Sequence, residues 1–274
     1  MENKEIKAHY GITGIMDSIL MGLEQQGKNI RDLKPKDLSV IDEFHTRGLE
    51  STIEIAELAQ IKSQFTVLDV GCGLGGSARY LANEFGCSVI GIDLTDEYID
   101  VANKLTEMVG LSDKVSFKQG SALNLPFTSE MFDIVWTEHT QMNIPDKDKF
   151  YSELSRVIKP GGSLVFHDIF GTGITPYYPT PWAEYTSLSS LCTQEEAKRA
   201  IEKSHLSITE WRDKSFQSKE FFVKMTKKLE KSQNAPLGLH LLMGKTAKIK
   251  FQNIAKNLEE DRIAIIQGKA TKTP

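Results

Sequence analysis

Two carboxylates and a run of glycines stand where a nucleotide-like ligand could be held. Val67-Leu68-Asp69-Val70-Gly71-Cys72-Gly73-Leu74-Gly75-Gly76 puts an acid near the end of an apolar strand-like run, with four glycines in the turn that follows. Gly71, Gly73 and Gly75 would let the backbone pass close to a ligand where a Cβ would collide. A helix starting near Gly76 would aim its free N–H groups into the same space. Val89-Ile90-Gly91-Ile92-Asp93 is a second buried-looking strand that also ends in a carboxylate, 24 positions after Asp69. An acid there can accept both hydroxyls of a ribose.

The glycines alone admit two cofactors. Gly71-x-Gly73-x-x-Gly76 satisfies the dinucleotide fingerprint, which would make the chain a dehydrogenase. Asp69-x-Gly71-x-Gly73-x-Gly75 satisfies a pattern built around S-adenosylmethionine. A pyrophosphate has little use for a carboxylate two residues before the first glycine, whereas S-adenosylmethionine brings an ammonium and a sulfonium that an acid attracts. The structural alternative is that Asp69 only ties down the turn.

What separates the two lies further along. Phe117-Lys118-Gln119-Gly120-Ser121-Ala122-Leu123-Asn124-Leu125-Pro126-Phe127 precedes a strand Phe132-Asp133-Ile134-Val135-Trp136, and Ile158-Lys159-Pro160-Gly161-Gly162 leads into another. This order, over about residues 65 to 170, resembles class I S-adenosylmethionine-dependent methyltransferases. The resemblance implies a Rossmann-like α/β fold, a seven-stranded mostly parallel sheet with an antiparallel last strand and a helical cap. It implies S-adenosylmethionine as cofactor and S-adenosylhomocysteine as product, held by Asp69, Gly71, Gly73, Gly75, Asp93, Leu94, Ser121, Ala122 and Glu138. One departure is Ser121, where many members carry an acid that accepts from the adenine amino group.

Outside that core, Ile41-Asp42-Glu43-Phe44-His45-Thr46-Arg47-Gly48-Leu49-Glu50-Ser51-Thr52 resembles the N-terminal segment of small-amine N-methyltransferases, including the phosphoethanolamine and the sarcosine or dimethylglycine enzymes. In the phosphoethanolamine enzymes a tyrosine and a histidine form a lid-closing catalytic pair; the corresponding positions here are Tyr10 and Asn143, so the histidine is missing. An ammonium acceptor must lose a proton before it attacks, which asks for a base such as histidine. His139 is the first candidate and His45 the second, with Tyr10 as an orienting or lid residue. The structural alternatives are that His139 only bonds its loop and that His45 caps the helix beginning at Ser51.

Tyr177, Tyr178, Trp182 and Tyr185 crowd one proline-rich segment. With Asn143, the residues Tyr178, Trp182 and Tyr185 are the expected substrate contacts, because aromatic faces attract methylated ammonium groups. The same rings would serve an apolar pocket for a quinone or polyketide, so N-methylation is favoured with O- or C-methylation as the alternative. A catalytically silent cofactor-binding protein is the remaining reading. Lys245 and Lys248, in a lysine-rich stretch, are candidate partners for a phosphate or carboxylate on the substrate.

These residues must be positioned by alternating strands and helices. Strands are expected near 65–70, 88–93, 114–119, 132–137, 162–169, 207–212 and 261–269, with Thr95 as an N-cap and Thr193-Gln194-Glu195-Glu196 as a capping box. The expected division is a helical cap or lid over 1–62, a cofactor-binding core over 63–213, a helical substrate cap over 214–258 and a final strand and tail over 259–274. At 274 residues the chain suits one large α/β domain with additions. Its net charge of −4 argues against a general nucleic-acid binder, leaving a small-molecule acceptor as the expected partner. No apolar run is long enough to span a bilayer, and the polar N-terminus does not read as a signal peptide. Cys72, Cys87 and Cys192 form neither a metal-ligand spacing nor a disulfide framework, which points to a reduced, cytoplasmic setting.

Overall fold

A computed structural model describes residues 2–11, 14–231, 238, 240–243 and 246–273. Its strands are β1 Thr66–Val70, β2 Ser88–Asp93, β3 Val115–Gln119, β4 Phe132–Glu138, β5 Ile158–Gly171, β6 Leu206–Asp213 and β7 Ile263–Lys272. They form one sheet in the order β3-β2-β1-β4-β5-β7-β6. The first five run parallel, while β7 slots between β5 and β6 and is antiparallel to both. This is the sheet expected from the sequence.

Helices α1 Glu2–Tyr10, α2 Ile15–Gln25, α3 Ser39–Asp42 and α4 Leu49–Ala59 precede the sheet. The crossovers are α5 Gly76–Phe85, α6 Asp96–Met108, α7 Lys147–Val157 and α8 Gln194–Lys203. Between β6 and β7 come α9 Ser215–Lys231, α10 His240–Met243 and α11 Ala247–Glu259. Thr193 forms the capping box of α8 with Glu196. Thr95 stands at the N-cap of α6, but its side chain makes no capping bond. Its backbone N–H donates to Asp93 Oδ1 at 2.9 Å, which ties the helix start to the carboxylate at the end of β2.

Beyond one-residue differences elsewhere, β5 and β7 depart from expectation at both ends, β5 running on to Gly171 and β7 to Lys272. β5 starts at Ile158, which pairs with Phe132, and pairing then resumes between Ser163 and Ile134, so the Lys-Pro-Gly-Gly turn is absorbed as a bulge. Gly162 is needed there, since a Cβ would lie 2.7 Å from Asp133 O. β7 starts two residues late because Asp261, at φ 50°, is still turning the chain out of α11.

Strand alternation splits the core between the two faces. Leu68, Val70, Val135, Leu164 and Phe166 pack towards α7 and α8, whereas Val67, Val89, Ile134, Trp136 and Val165 pack towards α4 and α5. Each fully buried aliphatic or aromatic side chain contributes roughly 1.5–3 kcal/mol. The same alternation fixes chemistry: Asp69 follows Val67, Glu138 follows Trp136 and His167 follows Val165. All three polar groups therefore emerge on the α4/α5 face at the carboxyl ends of β1, β4 and β5.

Candidate active site

The strand order reverses between β1 and β4, and in open α/β sheets the crevice beyond such a switch point receives ligands. A cavity opens there. Its walls include Asp69, Gly71, Gly73, Asp93, Leu94, Ser121, Ala122 and Glu138 from the core, and Tyr10, His45, His139, Asn143 and Trp182 from the surrounding segments. The structure thus brings together thirteen of the sixteen residues singled out from sequence.

The other three are Gly75, Tyr178 and Tyr185. Gly75 is a packing residue: at φ 83°, its Cβ would lie 2.3 Å from the Phe117 ring. Tyr185 turns outward and is 59% exposed. Tyr178 packs with Phe222, Phe251 and Ile254 beneath the α9–α11 cap, outside the cavity wall. Tyr177 is further off still, with Arg262 and Lys256 over its ring and its hydroxyl donating to Glu260. The expected aromatic cage does not assemble, because β-hairpin-like pairing of Thr180 with Ala183 directs Trp182 alone inward.

The glycines divide by function. Gly71, at φ 77°, is demanded by Thr140, whose Oγ1 would be 2.2 Å from an added Cβ. Gly73, at φ 52°, has nothing within 4 Å of its missing Cβ, so it alone leaves open space facing a ligand. Asp93 holds this loop in place: its Oδ2 accepts from Gly73 N–H at 3.0 Å. Ser121 Oγ accepts from Leu123 N–H at 3.2 Å and so spends part of its accepting capacity on its own turn.

Buried carboxylates crowd the floor. Asp69 and Asp93 are both pushed up by burial, Asp69 well above the usual range. Glu138 is raised to about 7 by burial, against the hydrogen bonds it receives from Ser77 Oγ at 2.5 Å and Trp136 Nε1 at 2.9 Å. Glu43, behind it, is also raised to about 7 by burial. Asp69 Oδ2 has no hydrogen-bond partner, and Glu138 Oε1 has only His45 Nε2 near it, at 3.3 Å and out of line for a hydrogen bond. These under-satisfied carboxylate oxygens and the open space at Gly73 suit a ligand end that carries positive charge, such as the ammonium and sulfonium of S-adenosylmethionine. A pyrophosphate would meet the same oxygens as like charges.

His45 is sealed into this cluster. Its Nε2 lies 2.9 Å from Glu43 Oε2 and 3.3 Å from Glu138 Oε1, and its Nδ1 lies 3.3 Å from Ser51 Oγ. Both ring nitrogens are engaged, which removes it as a base towards an acceptor. His139 keeps a face on the cavity and is held well below the ordinary histidine value by burial, then by His167 and His45.

Above the floor, α1 forms a roof with three ties. Lys7 Nζ reaches Asp96 at 3.1 Å, His9 Nε2 lies 2.9 Å from Pro181 O, and Tyr10 OH donates to Asn143 Oδ1 at 2.9 Å. Asn143 Nδ2 donates in turn to Trp182 O at 2.8 Å, linking roof and wall. Burial pushes the Tyr10 hydroxyl up, keeping it a neutral donor. The rest of this upper half is apolar: Ile6, Phe44, Met142, Ile169 and Ile254. Among the described residues no lysine or arginine lines it. Lys248 is exposed, and Lys245 lies outside the described residues.

Several wall residues carried no sequence signal of their own. Phe44 and Ile254 come from segments distant in sequence and meet the core only through folding. Thr140, a polar residue just past the apolar strand β4, had a faint one, as had Asp168, an acid within apolar β5 that stands behind the wall rather than in it. Asp168 is buried, raised to about 6 by burial, and accepts from Thr140 N–H at 3.1 Å and Gln141 N–H at 3.0 Å. Thr140 Oγ1 donates to Val70 O at 3.2 Å, so the acceptor-side loop is tied to the glycine loop.

Known proteins are similar to this chain in sequence and in fold. Residues 68–166 match the family described as methyltransferase domain. A probable tocopherol O-methyltransferase of rice, chloroplastic, is 47% identical over 104 residues, 38% of this chain and 29% of that protein. The methyltransferase GfsG of Streptomyces halstedii is 32% identical over 187 residues, 67% of each chain. The chain therefore spans under a third of the rice relative's length and two thirds of the Streptomyces one. In fold, it is similar to phosphoethanolamine N-methyltransferase 2 of Haemonchus contortus, solved with S-adenosylmethionine, at a TM-score of 0.70 and 20% identity, covering 96% of this chain and 61% of that one. No described helix is long and apolar enough to cross a membrane. The glycine loop, the acidic floor and the extended match to GfsG converge on one statement: the chain belongs to the S-adenosylmethionine-dependent methyltransferases.

Proposed function

We propose that this protein methylates a neutral, mainly apolar small molecule at oxygen or carbon. The observation that carries this reading is the upper half of the cavity, built from Ile6, Phe44, Met142, Ile169, Trp182 and Ile254 with no cationic side chain among the described residues. A phosphoamine or an N-methylated amino acid would bring a phosphate or carboxylate there with nothing to neutralise it, at a cost of several kcal/mol. Of the aromatic segment 177–185 expected to cage a methylated amine, only Trp182 lines the cavity. The likeness to a tocopherol O-methyltransferase agrees with an apolar acceptor.

When bound, S-adenosylmethionine supplies a methyl group on a sulfonium that leaves as a neutral thioether. The protein's part is then mainly positioning and electrostatics. Asp69, Glu138 and Asp93 would hold the cofactor, the first two through their unpartnered or cavity-facing oxygens and Asp93 through the ribose. The α1 roof, tied by Tyr10 to Asn143, would exclude water. Asp168 and Thr140 would set the separation of the acceptor loop from the glycine loop.

The test is a panel of quinols, catechols and enolic polyketide fragments beside phosphoethanolamine, ethanolamine and N-methylglycines, followed by S-adenosylhomocysteine release. Turnover of the neutral aromatic or enolic acceptors is expected. Turnover confined to the amines would overturn the reading.

A further inference from the structure

The backbone of Thr46 lies against two stacked histidines and dictates where each carries its hydrogen. The rings of His139 and His167 have centroids 5.2 Å apart and planes 23° from parallel. Thr46 N–H donates to His139 Nε2 over a long 3.4 Å, and Thr46 O lies 3.0 Å from His167 Nε2. An amide N–H can only donate and a carbonyl can only accept. His167 therefore carries its hydrogen on Nε2, and a neutral His139 must leave Nε2 bare and carry its hydrogen on Nδ1. Both rings are neutral near pH 7: burial pushes His167 down to about 3 and holds His139 well below its ordinary value.

The two free nitrogens differ. His167 Nδ1 is sealed off without a partner, whereas His139 Nδ1 is not among the sealed-off polar atoms, and the His139 ring lines the cavity. We infer that His139 is a tautomer-locked donor whose Nδ1–H points at the acceptor's oxygen, selecting a phenol- or enol-type acceptor, neutral in solution and held as its oxyanion, whose charge the sulfonium cancels as the methyl moves, as it would not for a phosphate or carboxylate elsewhere on the substrate. A general base at this place would need its lone pair on Nδ1 and its hydrogen on Nε2, aimed at the Thr46 N–H, so that two donors would face each other.

The step balances without a protein base. The acceptor's hydroxyl proton passes to water as the oxyanion forms and binds. An electron pair of the oxyanion then forms the bond to the methyl carbon, directly from oxygen or through the conjugated carbon. The C–S pair returns to sulfur, leaving a neutral thioether. His139 Nδ1–H stabilises the oxyanion and keeps its hydrogen throughout. This inference rests on the cavity being the methyl-transfer site, and its first test is independent of any acceptor.

That test is the ring 15N spectrum of labelled protein with S-adenosylhomocysteine at pH 7, the His139 signals being those lost in His139→Asn. A protonated Nδ1 and an unprotonated Nε2 are expected; hydrogen on Nε2, or an imidazolium, overturns the proposal. The second test compares His139→Asn with His139→Phe on whichever acceptor the panel identifies. The asparagine amide can place an N–H close to the position of Nδ1–H, so it should retain activity within about tenfold, while phenylalanine should lose about 10- to 100-fold. Equal loss in both, or a rate that follows an enzyme group titrating near neutrality, would mean that His139 is a base. If the wild-type protein turns over nothing in the panel, the methyl-transfer reading fails and the tautomer still decides the placement of the hydrogen.

Discussion

Binding of S-adenosylmethionine should release protons near pH 7, and Glu138, beside the likewise raised Asp69, should be one source. The Glu138 carboxyl is raised from 4.5 to about 7, so about half of the ligand-free molecules carry a proton there at neutral pH. A shift of that size corresponds to roughly 3 kcal/mol of preference for the neutral acid. A cation placed in the cavity reverses the preference, because an opposite charge within about 4–6 Å favours the carboxylate. Release of about 0.5 proton from Glu138 follows at pH 7, and apparent affinity should fall by up to about tenfold per unit below the carboxyl's pKa. Calorimetry in two buffers of different ionisation enthalpy reads the proton count directly. S-adenosylhomocysteine, without the sulfonium charge, should release less. Equal heats in both buffers, or undiminished release from Glu138→Gln, would refute the reasoning; Glu43→Gln measures the share of the carboxyl behind it.

The same shifts give the ligand-free protein an unusual pH profile. Glu43 and Glu138 have folded values raised to about 7, above the unfolded carboxyl range, so their contribution is greatest at low pH and is lost as pH rises towards 8, while the buried His45, His139 and His167, held below the ordinary histidine value, act in the opposite sense over the same window; Glu43→Gln and Glu138→Gln should therefore each raise the melting temperature at pH 8 relative to pH 6 when compared with the wild type. Gly75→Ala should cost 2 kcal/mol or more in denaturant unfolding (~2–3 kcal/mol), since its Cβ would overlap Phe117, whereas Gly73→Ala should cost only about 1 kcal/mol of backbone strain and yet abolish cofactor binding. Asp93→Ala should weaken S-adenosylhomocysteine by about 10- to 100-fold in calorimetry, through the lost ribose acceptor and the released Gly73 loop. Trp182→Ala should raise KM for the acceptor at least tenfold (~1.5–3 kcal/mol of lost burial), while Tyr185→Ala should leave it unchanged because that ring faces solvent.

The donor half of the site was legible in sequence because strand ends and glycines are local signals. Asp69 and Asp93 each terminate an apolar run, and the alternation of Val67 with Asp69 already fixes which face the acid takes. What local reasoning could not divide was the glycine set. Gly71 and Gly75 answer to Thr140 and Phe117, residues 69 and 42 positions away, and only the folded chain separates them from Gly73. The acceptor half was read less well for a related reason. An aromatic cluster in sequence says nothing of which rings turn inward, and the Thr180–Ala183 bridge that settles this leaves Tyr185 in water. Tyr10 and Asn143 were paired by resemblance to a family rather than by any spacing; their hydrogen bond crosses 133 positions of chain.

The tie from Asp168 through Thr140 to Val70 divides the cavity into parts with different freedom to vary. On one side of it, a substitution in the loop 139–143 is felt at the glycine loop, so changes there put donor handling at risk. On the other side stand Ile6, Phe44 and Ile254, supplied by α1, the turn after α3 and α11, three apolar side chains that make no hydrogen bond to that tie. Mutations at those three positions can reshape the acceptor's space one wall at a time while the methyl donor stays where it was. A lineage of such proteins could therefore drift across chemically distant acceptors through its peripheral helices, and an engineer seeking a new acceptor would begin with the same three residues.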